Sequence, residues 1–347
     1  MNVDDNEFEE MAVTEFDKAK VKSTLKNSIV KKKRKRGWKM NVAAAAVIVG
    51  LSTTTVGLAF PAYASNIPII GDIFRFFDFR ETGLYDNYKE YSTQMNLTQE
   101  SGGIKITIND AIFDGETVAI TYSIVSDRDL GEVLTKFPMP TIKDSSGHTG
   151  SSHITKIDNY HYVGLDRITP LRITSDSSDV QWGVANSDRV AVKWNIASLF
   201  PDTDELIIKG NWKFAFSLPA TDSQIQLTNR SVDQHGIVVT IDKITFIPMS
   251  FVVHYTQRAS EQVLEKWQQP HIELEIKDDL GNKYYGDSNG GYGRPDYTMT
   301  WGNTFKKLDP SATKLIITPH ASVYDETNSG NQRVEFVLDD IVIELVK

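Results

Sequence analysis

A run of basic residues followed by an uncharged stretch constrains this chain more than any other feature. Residues 31–36 are all lysine or arginine, and residues 42–63 contain no charged side chain. A helix of those 22 residues would be about 33 Å long, against a bilayer hydrocarbon core of about 30 Å. We therefore predict a transmembrane helix within residues 41–64, which separates a short head from a long remainder.

The basic run also predicts the orientation of the chain in the membrane. Basic residues beside a span stay on the cytoplasmic side, so we expect a cytoplasmic N-terminus and extracellular C-terminal modules. The residues that would fix this topology are Lys31, Lys32, Lys33, Arg34, Lys35, Arg36 and Trp38. The alternative is a cleaved signal peptide, because residues 62–64 read Ala-Tyr-Ala, although about 40 residues before the apolar stretch are long for such a peptide.

Charge and cysteine content exclude several classes of protein. The net charge is −9, and residues 1–40, with 11 basic and 7 acidic side chains, contribute +4, which leaves −13 for the remainder. An acidic outer part argues against nucleic-acid binding or anionic-lipid binding there. The chain has no cysteine, which excludes disulfides, thiolate metal sites and a cysteine nucleophile.

The head has the pattern of a helix without a core of its own. Residues 4–17 are rich in acid and residues 18–36 in base, which is the polarity that the helix dipole favours. So short a segment cannot bury its apolar side chains internally, and we predict that they dock in a groove on a cytoplasmic partner. These partner-binding residues are Phe8, Met11, Phe16, Val21 and Leu25. The alternative is a frayed helix whose only role is to fix the orientation of the chain in the membrane.

The outer part contains an internal repeat with an offset of 133 residues. Residues 103–113 match residues 236–246, and residues 118–123 match 251–256. Each copy reads as strand, turn and strand, with alternating β-branched residues. The fold class is therefore mainly β outside the membrane, as two tandem β-sandwich, immunoglobulin-like modules. We place the cytoplasmic head at 1–40, the transmembrane helix at 41–64, the first module at 65–218 and the second at 219–347.

Local patterns give further expectations for the outer part. Asp72 should cap a short helix, whose aromatic residues would lie on the bilayer surface or plug one end of the first module. Residues 259–269 should form a helix, and residues 279–283 a turn between strands. Residues 287–291 read as a flexible loop. The three closest histidines also fall in a region that reads as a loop, without a metal-binding pattern; they are His148, His153 and His161.

The motifs of known enzyme classes are missing from the sequence. There is no G-x-S-x-G elbow, no phosphate-binding loop, no G-x-G-x-x-G and no H-E-x-x-H. We therefore predict a protein that is not an enzyme and needs no cofactor and no metal.

Several of these features together resemble a known family. The basic run, the single span, the sequence Pro-Ile-Ile-Gly-Asp-Ile-Phe-Arg-Phe-Phe at 68–77 and the Gly-Ile-x-x-Thr-Ile segments at 103–108 and 236–241 are similar to membrane-bound anti-sigma factors of the sigma-M type from Firmicutes. The similarity extends over about residues 30 to 345. Many such relatives carry an outer domain of unknown function and a C-terminal immunoglobulin-like domain.

The resemblance implies a function and partners. The head would bind an extracytoplasmic-function sigma factor, the outer modules would receive a cell-envelope signal from an unknown extracellular ligand, and some members also act with a second small membrane protein. The alternative is a cell-surface adhesion or wall-binding protein whose head is only an anchor. Deletion of residues 1–28 separates the two, because only the anti-sigma factor would lose repression.

Overall fold

The computed structural model describes residues 72–78, 82–173, 180–184, 188–201, 207–267, 269–324 and 333–346. This part of the chain is mainly β, which confirms the predicted class. Its three short helices are α1 (Ile73–Phe76), α2 (Tyr88–Tyr91) and α3 (Glu261–Lys266). The predicted transmembrane helix lies outside the described residues, and none of the described helices is long and apolar enough to cross a membrane.

In the first module, the described residues form ten strands. They are β1 (Thr93–Ser101), β2 (Ile104–Phe113), β3 (Val118–Ser126), β4 (Leu134–Phe137), β5 (Thr141–Ile142), β6 (Gly147–Asp158), β7 (His161–Ile173), β8 (Val180–Trp182), β9 (Arg189–Pro201) and β10 (Ile208–Pro219). One antiparallel sheet has the order β1-β2-β3-β7-β6, with β8 paired to β7. The second has the order β10-β9-β4, with β5 paired to β9.

The core of the first module lies between its two sheets. Alternate residues of β2 are fully buried, as the period of a strand requires, and they meet two buried tryptophans from the other sheet. The indole of Trp212 donates to the carbonyl of Ile104 at 2.9 Å, and that of Trp194 donates to the carbonyl of Pro138 at 3.0 Å. Each indole thus buries a large apolar surface and still satisfies its only donor.

The part of the second module that the structure describes has ten further strands. They are β11 (Gln224–Gln234), β12 (Ile237–Ile247), β13 (Ser250–Ala259), β14 (His271–Asp278), β15 (Lys283–Tyr284), β16 (Gly286–Gly293), β17 (Met299–Lys306), β18 (Lys314–Tyr324), β19 (Arg333–Val337) and β20 (Ile341–Glu344). One sheet has the order β11-β12-β13-β17-β16; the other has the order β15-β14-β18-β19, with β20 on β18. A second apolar core fills the space between them.

The repeat seen in the sequence is also a repeat of backbone detail. The β1/β2 ladder shifts register between Gln94 and Leu97, and the β11/β12 ladder shifts between Leu227 and Arg230, again 133 residues later. Within each shift an asparagine has positive φ, 51° at Asn96 and 48° at Asn229. Asparagine tolerates that conformation better than most residues, so the same bulge is built twice from the same residue type.

Two local predictions are confirmed. Helix α3 lies within the predicted range 259–269 and is capped by the Ser260 hydroxyl, which accepts from the backbone of Val263. Residues 279–282 turn between β14 and β15, with Gly281 at a φ of 90°, a conformation in which glycine meets no steric penalty.

Two loop predictions are wrong. Residues 287–291 lie within β16, and the region of the three histidines forms the long hairpin of β6 and β7. Glycine and serine disfavour strands in general. Here β16 pairs with the next strand β17, and β6 pairs with β7, so pairing with the neighbouring strand outweighs the weak local preference.

Candidate functional site

A third apolar cluster joins the two modules to the segment that precedes β1. Its buried members are Ile73, Phe74, Phe77, Leu84, Tyr85, Tyr88, Ile112, Ala119, Val163, Leu165, Ile247, Met249 and Val252. They come from residues 73–88, from the outer face of the β2-β3-β7 region and from β12, β13 and the turn between them. Because all three parts share one core, neither module can leave the other without exposing apolar surface to water.

Helix α1 enters this cluster through one apolar side. Asp72 caps it, accepting from the backbone of Arg75 at 3.3 Å; this confirms the predicted cap. Ile73, Phe74 and Phe77 are buried, whereas Arg75 points outward and pairs with Asp86 at 3.0 Å. Of the two arrangements expected for these aromatics, the structure has the packed one, and their site is the junction of both modules.

Arg167 is the polar centre of the junction. It lies on β7 and is almost completely buried, and its Nη2 donates to Asn289 Oδ1 at 2.6 Å and to Thr304 Oγ1 at 3.1 Å on the second module. Asp287 Oδ2 lies 3.5 Å from its Nη1 and accepts from the Tyr85 hydroxyl at 3.1 Å. A buried guanidinium needs such partners, since an unpaired buried charge is costly.

The turn between β2 and β3 inserts a carboxylate into the second module. Glu116 accepts from Lys243 Nζ at 2.5 Å and from His254 Nε2 at 2.6 Å. Burial alone would raise the pKa of Glu116, but His254 and Lys243 together lower that pKa to about 2. Glu116 is therefore ionised at neutral pH and ties the modules together by charge.

Aromatic and main-chain contacts extend this interface along β16. The Trp182 ring lies 5.3 Å from His254 and 5.7 Å from Tyr292, measured between centroids. The Tyr292 hydroxyl donates to the Val180 carbonyl at 2.8 Å. The residues of β16 that read as a loop therefore face the first module and complete the junction.

A cavity of about 300 Å³ opens where the three parts meet. Its lining comprises Phe77, Asp78, Thr82, Tyr85, Ser151, His153, Leu165, Arg167, Asp287 and Ser288. The volume is at the lower end of the range for small-ligand pockets. Acidic, basic, hydroxyl and aromatic groups converge there, so the cavity suits a small polar molecule with both donors and acceptors.

The site residues predicted for partner binding and topology lie outside the described residues. These are Phe8, Met11, Phe16, Val21, Leu25, Lys31, Lys32, Lys33, Arg34, Lys35, Arg36 and Trp38. Within the described residues, no three histidine or acidic side chains gather as metal ligands would. Of the histidines considered above, His153 lines the cavity, and His161 Nδ1 lies 2.8 Å from Asp158.

The junction residues were missed by reasoning from the sequence. Arg167 follows Asp166 in the middle of a strand that is otherwise mostly apolar, and a charge within such a strand is a usable signal that its side chain needs a polar partner. Glu116 and Asn289 carry no such signal, because a turn glutamate and a loop asparagine are ordinary on a surface. Their partners lie more than 100 residues away along the chain.

The two β modules and the apolar cluster between them define a protein of two tandem β modules joined by a shared apolar junction. Comparison with known proteins identifies the family to which this protein belongs. Residues 32–126 match a domain of unknown function (DUF4179), and residues 223–345 match a family of unknown function (DUF5643). The crystal structure of the conserved domain protein from Bacillus anthracis is 37% identical, covers 80% of this chain and 100% of its own, and has a TM-score of 0.71.

This chain belongs to the same family as that Bacillus anthracis protein. A collagen adhesin (CNA) structure from S. aureus, at 7% identity over 73% of this chain and 98% of its own, has a TM-score of 0.14, a likeness that carries no argument. No curated protein matches the chain.

Proposed function

We propose that the protein is a single-pass membrane anti-sigma factor. In this proposal the head binds an extracytoplasmic-function sigma factor in the cytoplasm, and the outer modules receive a cell-envelope signal. The sigma-binding part rests on the family resemblance and on the helical apolar pattern of residues 8–25. The observation that supports the signalling part is the burial of α1 between the two modules.

The position of α1 favours signalling over anchorage alone. Helix α1 begins only about ten residues after the predicted span ends, and Phe74 is fully buried in the junction. In this proposal a rearrangement of the modules moves α1, the described element that lies nearest in sequence to the predicted span. A wall-binding protein has no need for such coupling, because it works equally well on a loose tether.

The cavity at the junction is the proposed point of signal entry. A ligand that binds there contacts the segment that follows α1, beginning at Phe77, together with the first module and the second module. It shifts an equilibrium between arrangements only by its difference in affinity for them, and a site shared by three parts provides such a difference.

The head would hold its partner through a few apolar anchors. Burying a large apolar side chain contributes about 1.5–3 kcal/mol before ordering costs. Three to five such anchors suffice for a dissociation constant in the micromolar range or below. The acidic first half of the head suits a basic surface on the sigma factor.

The test replaces one anchor. Phe16→Asp should raise sigma-dependent transcription and abolish co-purification of the sigma factor, while the protein stays in the membrane. Phe16→Leu, which keeps an apolar side chain, is the matched control and should retain repression. Unchanged transcription and unchanged co-purification in Phe16→Asp would remove the proposal, and unchanged transcription after deletion of residues 1–28 would favour the wall-binding alternative.

A further inference from the structure

A lysine and an aspartate meet inside the first module, away from the junction. Lys136 on β4 and Asp166 on β7 have fully buried side chains, and Nζ lies 2.7 Å from Oδ1. Strands β4 and β7 belong to opposite sheets of the sandwich. Asp166 precedes Arg167 in the strand, and neighbouring side chains point to opposite faces, so one faces the core and the other faces the junction.

The amine of Lys136 lies between two aromatic rings in the dry core. Nζ lies 4.7 Å from the centroid of the Tyr122 ring and 5.1 Å from that of Trp194. Burial lowers the pKa of Lys136, although Asp166 opposes that change. Once the ammonium has given a proton to Asp166, the amine has a free electron pair and is a nucleophile.

The two oxygens of Asp166 are treated differently by the protein. Oδ1 accepts hydrogen bonds from Lys136, from Ser152 Oγ at 2.9 Å and from the Tyr122 hydroxyl at 3.2 Å. Oδ2 is buried and has no hydrogen-bond partner among the described residues. An ionised carboxylate with one bare buried oxygen is costly, so the site is poorly matched to a permanent ion pair.

The backbone is adapted to this arrangement at Gly164. The Tyr122 ring lies directly over Gly164, its cross-strand partner, and any Cβ at that position would overlap the ring. Glycine therefore lets the tyrosine lie flat and bring its hydroxyl to Asp166.

We propose that Lys136 and Asp166 condense to an intramolecular amide that links the two sheets of the first module. A proton passes from the ammonium to the carboxylate, and Nζ attacks Cγ. The hydroxyls of Ser152 and Tyr122 stabilise the negative charge that develops on Oδ1. The C–N bond forms, a second proton passes from Nζ to Oδ2, and the bond from Cγ to Oδ2 breaks, so that Oδ2 leaves as water with both protons and no oxidant, reductant or other reactant is needed.

The fixed positions of the two groups speed up this step, and the exclusion of water from the core protects its product. Groups held in contact react as if at very high concentration, with effective molarities of about 10⁵ M or more. Exclusion of water from the core disfavours hydrolysis of the amide. The bond would close a loop from β4 to β7 and would keep the sheets together under pulling forces, whichever signal the protein serves.

The intact mass of the purified full-length protein tests the bond. We expect a mass one water molecule below that calculated from the sequence, and a tryptic peptide pair joined through Lys136 and Asp166. Lys136→Arg keeps the charge but cannot form this amide, and it should restore the calculated mass. A wild-type mass equal to the calculated value would overturn the proposal.

A chemical readout on the wild-type protein keeps the test independent of how the variant folds. In urea, acetic anhydride acetylates every free lysine amine. We expect Lys136 to stay unmodified while Lys143, seven residues later, is acetylated in full. Acetylated Lys136 in the unfolded protein would show a free amine and would overturn the proposal.

Discussion

At the scale of the residue, Arg167 decides whether the polar part of the junction is satisfied. It donates to both Asn289 and Thr304, and the pair Asp287 and Tyr85 closes the network on its other side. Few charged side chains are so fully buried in proteins unless they are paired. Loss of this one guanidinium removes the charged hydrogen bonds to Asn289 and Thr304, and Asn289 Oδ1 keeps only its bond from Thr304 Oγ1 at 2.9 Å among the described residues.

Arg167→Met keeps an unbranched apolar stem and removes the guanidinium with its charge. We expect it to lower the free energy of unfolding of the outer fragment 72–346 by about 3 kcal/mol, because buried acceptors lose charged hydrogen bonds. Urea denaturation followed by tryptophan fluorescence measures the change. The control is Arg128→Met at an exposed ion pair, which should cost less than about 1 kcal/mol; equal effects of the two variants would contradict the role of Arg167.

Two carboxylates in the turn between β2 and β3 should make the stability of the fold depend on pH in opposite directions. The pKa of Glu116 is lowered from 4.5 to about 2, so its stabilisation is present above pH 4.5 and is lost as the pH falls toward 2. Burial raises the pKa of Asp114 from 3.8 to about 6. The contribution of Asp114 is therefore present below pH 3.8 and is lost as the pH rises through 6.

Glu116→Gln and Asp114→Asn form a matched pair for this test. Glu116→Gln should destabilise the fragment at pH 7. It should also reduce the amount of stability that the fragment loses as the pH falls. Asp114→Asn keeps an oxygen for the amides of Glu116 and Thr117 and should raise stability at pH 7 relative to wild type. Melting temperatures from pH 2 to pH 8 measure both effects; two variants with the same pH profile would contradict the assignment.

At the scale of the element, α1 is too short to be stable alone. Its four residues keep their helical form because Asp72 caps the first turn and because the junction buries one side. Its order thus depends on the contact between the modules and not on its own propensity. This dependence makes α1 a reporter of that contact.

Phe74→Ala should release α1 from the junction. The phenyl group is fully buried against Tyr85 and Tyr88, whose ring centroids lie 6.4 Å and 5.5 Å away, and such truncations cost about 3–5 kcal/mol. Relative to wild type, we expect Phe74→Ala to speed up amide hydrogen exchange more in residues 72–78 and 84–91 than in the β2 core. The control is Arg75→Ala on the exposed side, and protected amides in Phe74→Ala would contradict the coupling.

Some of these elements could be predicted from the sequence and others could not. The repeated strands β2 and β12 follow from their alternation, and the turn at Gly281 follows from its residue types. Strand β16 does not, because Asp287, Ser288 and Gly290 have weak strand preferences and gain their order from β17 and the first module. The partner of Arg167 is unpredictable for the same reason, since nothing local fixes which strand faces another module.

At the scale of the whole molecule, the outer part should unfold as one unit. The shared cluster and the Glu116 and Arg167 contacts couple the modules. We expect one urea transition, coincident by circular dichroism and by tryptophan fluorescence. A fragment that ends at residue 219 should be less stable than the longer fragment, because it exposes Ile112, Val163 and Leu165. Two separate transitions would show that the modules are independent.

The compartments of the two ends underlie the proposed function, and the absence of cysteine makes them directly measurable. Single cysteines replace Ser28 in the head and Ser231, which is exposed on β11, and intact cells are treated with a membrane-impermeant maleimide. The proposed topology predicts that Ser231→Cys is labelled at once and that Ser28→Cys is labelled only after the cells are permeabilised. Labelling of Ser28→Cys in intact cells would contradict a cytoplasmic head and, with it, capture of a sigma factor.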